Sequence, residues 1–164
     1  MGEGGPKQKF SQNLKAIEIL RLLDAEERPA SPDEKALLVK YAGWGAMPQV
    51  FDVDSANWRK EQIQLSEILS DEEHRSARAT TLNAHYTAPV VIHAMYRAAQ
   101  RFGFQDGDIL EPACGIGHFI GLMPEEMLRR STITGVEIDP LTAQQAHDRA
   151  WEMVRESYIL LPAE

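Results

Sequence analysis

The 164-residue sequence predicts an α/β protein in which a helical N-terminal region precedes a truncated unit of strand, helix and strand. Apolar residues recur at helical spacing through the first half of the chain. The second half holds two short apolar runs separated by a glycine-containing turn and a further helical stretch. We therefore expect a helical region over 1–82 and an α/β region over 83–164.

Composition restricts the class of protein. Hydrophobic residues make up 43% of the chain and charged residues 26%, as in ordinary globular proteins. No apolar run approaches the roughly 18 residues that a membrane span requires. Residues 1–9 are glycine-rich and polar and lack the apolar core of a signal peptide. The sequence therefore predicts a cytoplasmic protein without a membrane segment.

The titratable residues argue against several kinds of site. Cys114 is the single cysteine, so the chain can form no internal disulfide, and its five histidines show no ligand spacing with acids. We therefore expect no metal site. The net charge of −8 argues against autonomous DNA binding, because affinity for DNA comes largely from neutralised phosphates.

The first helix is predicted over residues 7–27, with one apolar face, and Pro29 ends it. That face consists of Phe10, Leu14, Ile17, Leu20 and Leu23. Ser31, Pro32 and Glu34 then form an N-cap, a first-turn proline and a capping-box acid. The second helix is expected to continue through Leu37, Leu38 and Tyr41 and to stop at Gly43.

Trp44 lies in a turn between Gly43 and Gly45 and allows two interpretations. It could stack on a nucleic-acid base, or it could fill the corner between two helices, and we favour packing. Further helices are expected over 57–69 and 70–80, and a second capping box, Ser70 with Glu73, opens the latter.

The next helix is predicted from Pro89 to about Gly103, with Val90, Ile92, Met95 and Ala98 or Ala99 on its buried side. Strands are expected at Ile109–Leu110 and over 132–138. Short helices lie between them, one through Phe119–Leu122 and one restarting at Pro124. A helix should follow from Pro140 to about Glu156, and 158–161 is either a third strand or an ordered tail.

A glycine turn after one strand and an acid at the end of the next are typical of a nucleoside site. Gly115 and Gly117 allow the backbone to approach a ligand closely, and Glu137 can accept hydrogen bonds from both ribose hydroxyls. Ile120 stands where a dinucleotide site needs a third glycine, which argues against a pyrophosphate. Glu111 could instead face a cation, so S-adenosylmethionine fits the pattern.

Three segments resemble the motifs of gamma-type adenine-specific DNA amino-methyltransferases of restriction–modification systems. They are Leu110–Phe119 (LEPACGIGHF), Gly135–Pro140 (GVEIDP) and His85–Pro89 (HYTAP), the last with an alanine added within the Tyr-Thr-Pro pattern. From Gly5 to about Ala146 the chain is similar to the start of the large methylase–helicase proteins of phages, plasmids and integrative elements.

This resemblance implies a truncated Rossmann-like unit of the class I methyltransferase type that binds S-adenosylmethionine. The implied cofactor contacts are Thr87, Glu111, Ala113, Gly115, Glu137 and Ile138, and the candidate set adds Tyr86, Cys114 and Gly117. We interpret Cys114 as a packing residue rather than a nucleophile. His118 is interpreted as a turn-capping or surface residue rather than a base.

The catalytic Asn/Asp-Pro-Pro-Tyr/Phe motif of that family is missing, because the sequence contains no Pro-Pro pair. We therefore expect no catalytic residue in this chain. One hypothesis is an S-adenosylmethionine-binding fragment of an adenine-specific DNA methyltransferase that is inactive alone. The alternative is a non-enzymatic, mobile-element protein that antagonises host defence through an acidic surface, as an anti-restriction or anti-CRISPR factor; a decayed remnant is a third.

The short parallel sheet also predicts an interaction. Two or three parallel strands leave an open edge and an uncovered face, which a protein in water has to cover. The N-terminal helices, a second copy or another protein could do so. We expect a helical cap together with self-association or a protein partner.

Overall fold

A computed structural model describes residues 4–82, 86–139 and 142–143, together with the backbone of 158–162. It divides into two compact units. Unit 1 comprises residues 1–85 and 139–141, and unit 2 comprises residues 86–138 and 142–164.

The described part of unit 1 is helical. Its elements are α1 (Pro6–Glu26), α2 (Pro32–Leu38), 3-10 turns at Pro48–Phe51 and Ala56–Trp58, α3 (Arg59–Ile68) and α4 (Asp71–Thr80). Unit 2 combines helices with strands. Its elements are α5 (Pro89–Arg101), β1 (Asp108–Glu111), α6 (His118–Gly121), α7 (Glu125–Arg130), β2 (Thr132–Glu137) and β3 (Tyr158–Pro162).

The predicted apolar face of α1 is confirmed as the centre of unit 1. All five predicted residues are buried there: Phe10, Leu14, Ile17, Leu20 and Leu23. Trp44 is fully buried, and its ring centroid lies 5.5 Å from that of Phe51 and 6.4 Å from that of Phe10. The packing interpretation of Trp44 is therefore confirmed.

The second helix is shorter than predicted. Both capping boxes form, at Ser31 with Glu34 and at Ser70 with Glu73, but α2 ends at Leu38 and does not reach Gly43. The buried side chain of Asn13 explains the early end. Its Oδ1 accepts the Ala42 N–H at 2.8 Å and its Nδ2 donates to the Gly43 carbonyl at 2.7 Å, so these backbone groups bind a side chain of α1 instead of helical partners.

The sheet of unit 2 confirms the predicted α/β fold. Its strands are parallel in the order β1-β2-β3, with Asp108 beside Thr132 and Ile133 beside Tyr158. This order is that of the first half of a Rossmann-like sheet, in which successive strands are added on one side of the first. The segment at 158–161 therefore belongs to a strand and is not merely a tail. Six buried residues of this unit form a hydrophobic cluster: Cys114, Ile120, Met123, Met127, Leu128 and Ile133.

The predicted buried side of α5 is wrong in part. Ile92 is fully buried, but Val90 is 70% and Met95 is 52% exposed. Tyr96 packs against the buried cluster, and its hydroxyl donates to the Phe119 carbonyl at 2.6 Å. These contacts turn the Ile92–Tyr96 side of the helix inward, so Val90 and Met95 face outward.

Two predicted features fall largely outside the described residues. They are the helix expected from Pro140 to about Glu156 and the His85 end of the HYTAP segment. In the part of the chain that the structure describes, no helix is both long enough and apolar enough to cross a membrane.

Candidate functional site

The loop that follows β1 takes a conformation that glycine favours. Gly115 has φ of +52° and Gly117, the N-cap of α6, has φ of +74°. A Cβ atom added at Gly115 would lie 3.1 Å from Cε1 of Tyr86, closer than an ordinary van der Waals contact. Backbone conformation and the nearby ring therefore both favour glycine at this position.

Glu137 ties this loop to the end of the neighbouring strand. It is the last residue of β2, and its Oε2 accepts the Gly115 N–H at 2.8 Å. The Cys114 N–H donates to the Val136 carbonyl at 2.9 Å, one residue earlier on the same strand. The structure thus brings together Gly115 and Glu137, which the sequence placed 22 residues apart.

Tyr86 forms one wall of this site. It precedes α5, its ring lies against Gly115, and its ring centroid is 5.8 Å from that of His118 in an edge-on arrangement. Thr87 is half-buried immediately after it. The HYTAP segment therefore reaches the glycine loop through its tyrosine.

Glu111 ends β1 at the same carboxyl edge of the sheet, beside Gly135 of β2. Its charge acts on a residue that the sequence did not single out. Burial, and secondly the negative charge of Glu111, raise the pKa of Tyr96 to about 12. No local sequence signal identified Tyr96, apart from its position four residues after the buried Ile92.

The remaining candidates take different positions. Cys114 is only 6% exposed and belongs to the buried cluster, so its side chain packs, as expected. Ala113 and Ile138 are exposed beside the loop and after β2, and His118 is half-buried in α6. The side chain of Cys114 therefore cannot reach a ligand without rearrangement of the core.

These groups fit a nucleoside joined to a cation. A carboxylate accepts up to about four hydrogen bonds, so Glu137 can hold the Gly115 N–H and also a ribose diol. The side of Gly115 where a Cβ would stand is occupied by the Tyr86 ring, so the glycine makes room for this ring. Glu111 supplies a negative charge at the same sheet edge. Within the described ranges, no group of three His, Cys, Asp or Glu residues could hold a metal ion.

Comparisons with known proteins find little similarity. No model of a protein family matches the chain, and no curated protein matches it. A crystal structure from Listeria monocytogenes, described as that of a candidate class I S-adenosylmethionine-dependent methyltransferase, is similar at 16% identity with a TM-score of 0.35. The match covers 93% of this chain and 53% of the other, so the chain spans about half the length of that protein. The fold assignment rests on the sheet order of unit 2.

Proposed function

We propose that unit 2 binds S-adenosylmethionine as the cofactor-binding portion of a gamma-type, adenine-specific DNA amino-methyltransferase. The observation that carries this proposal is the contact between Glu137 and Gly115. An acid at the end of β2 and a left-handed glycine loop after β1 meet at the carboxyl edge of a parallel sheet. Open α/β sheets bind their ligands at this edge.

Each residue then has a defined role toward the cofactor. Glu137 would accept the ribose hydroxyls while it keeps the loop in place through the Gly115 N–H. Tyr86 would cover the loop from the HYTAP side, and Glu111 would face the cationic methionine part. The proposed specificity for adenine in DNA rests on the resemblance of the three sequence motifs to those of that family.

The bound cofactor supplies an electrophilic methyl group, and this chain's residues bind and orient it. Transfer also requires groups that hold the target amino nitrogen in line with that methyl. In the family that the motifs resemble, the Asn/Asp-Pro-Pro-Tyr/Phe motif does so, and this sequence lacks a Pro-Pro pair. We therefore propose that the isolated chain binds cofactor without methylating DNA, and that a further polypeptide segment supplies the catalytic motif.

Calorimetric titration tests the cofactor site directly. S-adenosylmethionine and S-adenosylhomocysteine are titrated into the wild-type chain, Glu137→Ala and Glu126→Ala. Glu126 is an exposed acid of α7 outside the site and serves as the matched control. We expect micromolar binding that Glu126→Ala keeps and Glu137→Ala weakens about ten-fold or more, because hydrogen bonds to charged groups contribute about 1.5–3 kcal/mol.

Two results would contradict the proposal. A folded wild-type chain that takes up neither ligand has no cofactor site, and a non-enzymatic interaction protein that antagonises host defence would then be the hypothesis to test. Equal losses in Glu137→Ala and Glu126→Ala would mean that charge, rather than the ribose contact, governs binding.

A further inference from the structure

Helix α5 presents an apolar stripe to solvent. The stripe consists of Val91, Met95 and Ala98 of the helix, together with Phe102, its C-cap residue. Three of these side chains are 47%, 52% and 90% exposed (Val91, Met95 and Phe102), and Ala98 is exposed as well. Isolated exposed apolar residues are common, but four along one line of a helix are not.

The stripe is separate from the face that packs inside unit 2. At about 100° per residue, its four residues fall within a sector of about 60°, whereas Ile92 and Tyr96 lie on the adjacent side. Ile92 is fully buried, and Tyr96 packs against the buried cluster of unit 2. The successive steps of four, three and four residues are those of the apolar seam of a coiled coil. The outward face of α5 therefore has the pattern of a helix that pairs with another helix.

The charges beside the stripe indicate the chemistry of that second helix. The cationic residues of α5 on the side next to the stripe are Arg97 and Arg101, and the helix contains no Asp or Glu, although the whole chain carries −8. Arg97 and Arg101 are four residues apart, exposed, and on the same side of the stripe. A matching helix would carry acidic residues next to its own apolar seam.

We propose that α5 is a docking helix for an amphipathic helix of a different polypeptide, with an apolar seam flanked by acidic residues. A second copy of this chain fits less well. Antiparallel pairing of two α5 helices about a two-fold axis would place the Arg97–Arg101 side of one copy opposite the same side of the other, and like charges there repel. This inference does not depend on the proposed cofactor site, since it uses none of its residues.

Duplex DNA is the other class of ligand that a basic helix could contact. Phosphate binding requires cations and gains nothing from the large apolar surface beside them. Two arginines beside a stripe that contains Val91, Met95 and Phe102 therefore favour a protein helix.

The test uses two synthetic helical peptides of about three heptads, with leucine at the seam positions. One carries glutamate beside the seam and the other carries lysine. Binding of each labelled peptide to the full chain is measured by fluorescence anisotropy. We compare the wild-type chain with Met95→Glu, with Arg97→Glu/Arg101→Glu, and with Val39→Glu, a control at an apolar residue of unit 1 that is 54% exposed.

We expect the wild-type chain and Val39→Glu to bind the glutamate peptide about ten-fold or more tightly than the lysine peptide. Met95→Glu should bind neither peptide. The double charge reversal should prefer the lysine peptide, a change that loss of folding cannot produce.

Equal binding of the two peptides, or binding of neither by the wild-type chain, would overturn the proposal. So would concentration-dependent dimerisation in sedimentation that Met95→Glu abolishes, because the occupant would then be a second copy. Binding of a DNA duplex that the double charge reversal removes would assign the helix to DNA instead.

Discussion

At Gly115 two independent constraints coincide on one residue. Its φ of +52° costs roughly 1–2 kcal/mol for a residue with a side chain, and the ring of Tyr86 stands 3.1 Å from the place of a Cβ atom. The same residue donates its N–H to Glu137. Loop shape, ring placement and the acid at the end of β2 are therefore coupled at one position.

A double-mutant cycle separates the backbone constraint from the steric one. We expect Gly115→Ala to lower the free energy of unfolding by about 1–3 kcal/mol, because the left-handed backbone and the tyrosine ring both oppose a methyl group. In a Tyr86→Ala background, the loss of unfolding free energy caused by Gly115→Ala should be smaller by about 0.5 kcal/mol or more. Urea unfolding followed by circular dichroism measures all four chains. An identical cost in both backgrounds would mean that Tyr86 does not restrict this position.

Tyr96 is the second residue with a testable signature. Its phenol donates to the Phe119 carbonyl, and burial together with the charge of Glu111 raises its pKa to about 12. The neutral phenol is the form that the folded state favours. Its stabilising contribution is therefore complete below the unfolded pKa of about 10 and is lost as the pH rises from there to about 12.

We expect an ultraviolet titration of tyrosinate to show one phenol that ionises near pH 12 in the wild-type chain. Tyr96→Phe should remove that step, because it removes the buried phenol. It should also flatten the fall in unfolding free energy above about pH 10. If the ionisation near pH 12 persists in Tyr96→Phe, another tyrosine produces it. The raised pKa would then not belong to the phenol that donates to the Phe119 carbonyl.

Among the helices, α4 is stabilised by the interactions of Glu73 in its first turn. Burial raises the pKa of Glu73, but hydrogen bonds from the Ser70 N–H and hydroxyl and the charge-assisted bond from Arg21 outweigh it, so the net shift is downward. Both Arg21 contacts are 2.7 Å long and join α1 to α4. A lowered pKa means that this stabilisation is complete above the unfolded value of about 4.3 and is lost as the pH falls below it.

Glu73→Gln should preserve the capping bond, since glutamine also serves at this position, but remove the charge that Arg21 contacts. We expect a shallower decline of unfolding free energy between about pH 5 and pH 2 than in the wild-type chain. Glu72→Gln changes an exposed acid of the same turn and provides the control. If the unfolding free energy of Glu73→Gln falls with pH in parallel with that of the wild-type chain, this ion pair contributes nothing to the loss of stability in acid.

The elements also show how far sequence reasoning reaches. Capping boxes and the buried face of α1 follow from spacing alone, because the groups that interact lie within one turn of each other. The end of α2 depends on Asn13, which binds the Ala42 N–H 29 residues later in the chain. The packed side of α5 depends on the contact between Tyr96 and Phe119. Such contacts join distant segments, and no local pattern encodes them.

The candidate site could likewise be predicted only in part from the sequence. Gly115 and Glu137 could be predicted because each residue type lies at the carboxyl end of a strand, where parallel sheets bind their ligands. The bond between them could not, since a side chain that folds back onto a backbone N–H leaves no spacing signal. The influence of Glu111 on Tyr96 likewise required the three-dimensional arrangement.

At the scale of the whole molecule, charge governs what the chain can bind. The chain has 17 basic and 25 acidic residues, so its net negative charge repels the DNA backbone. The exposed arginines of α5 lie beside an apolar stripe, and neutralising several phosphates requires a larger set of cations. If unit 2 carries a DNA-methyltransferase cofactor site, the DNA contacts must then come from another polypeptide segment.

We therefore expect the isolated chain to leave the anisotropy of a labelled duplex unchanged at about 150 mM salt, with or without S-adenosylmethionine. Arg97→Glu/Arg101→Glu should behave identically, because those arginines are assigned to a protein helix. A DNA-bound state would reveal itself by an affinity whose logarithm falls linearly with the logarithm of salt concentration, since bound phosphates release counterions. Such a slope, reduced in the charge-reversal variant, would locate a basic DNA-binding face on α5 despite the net charge of −8.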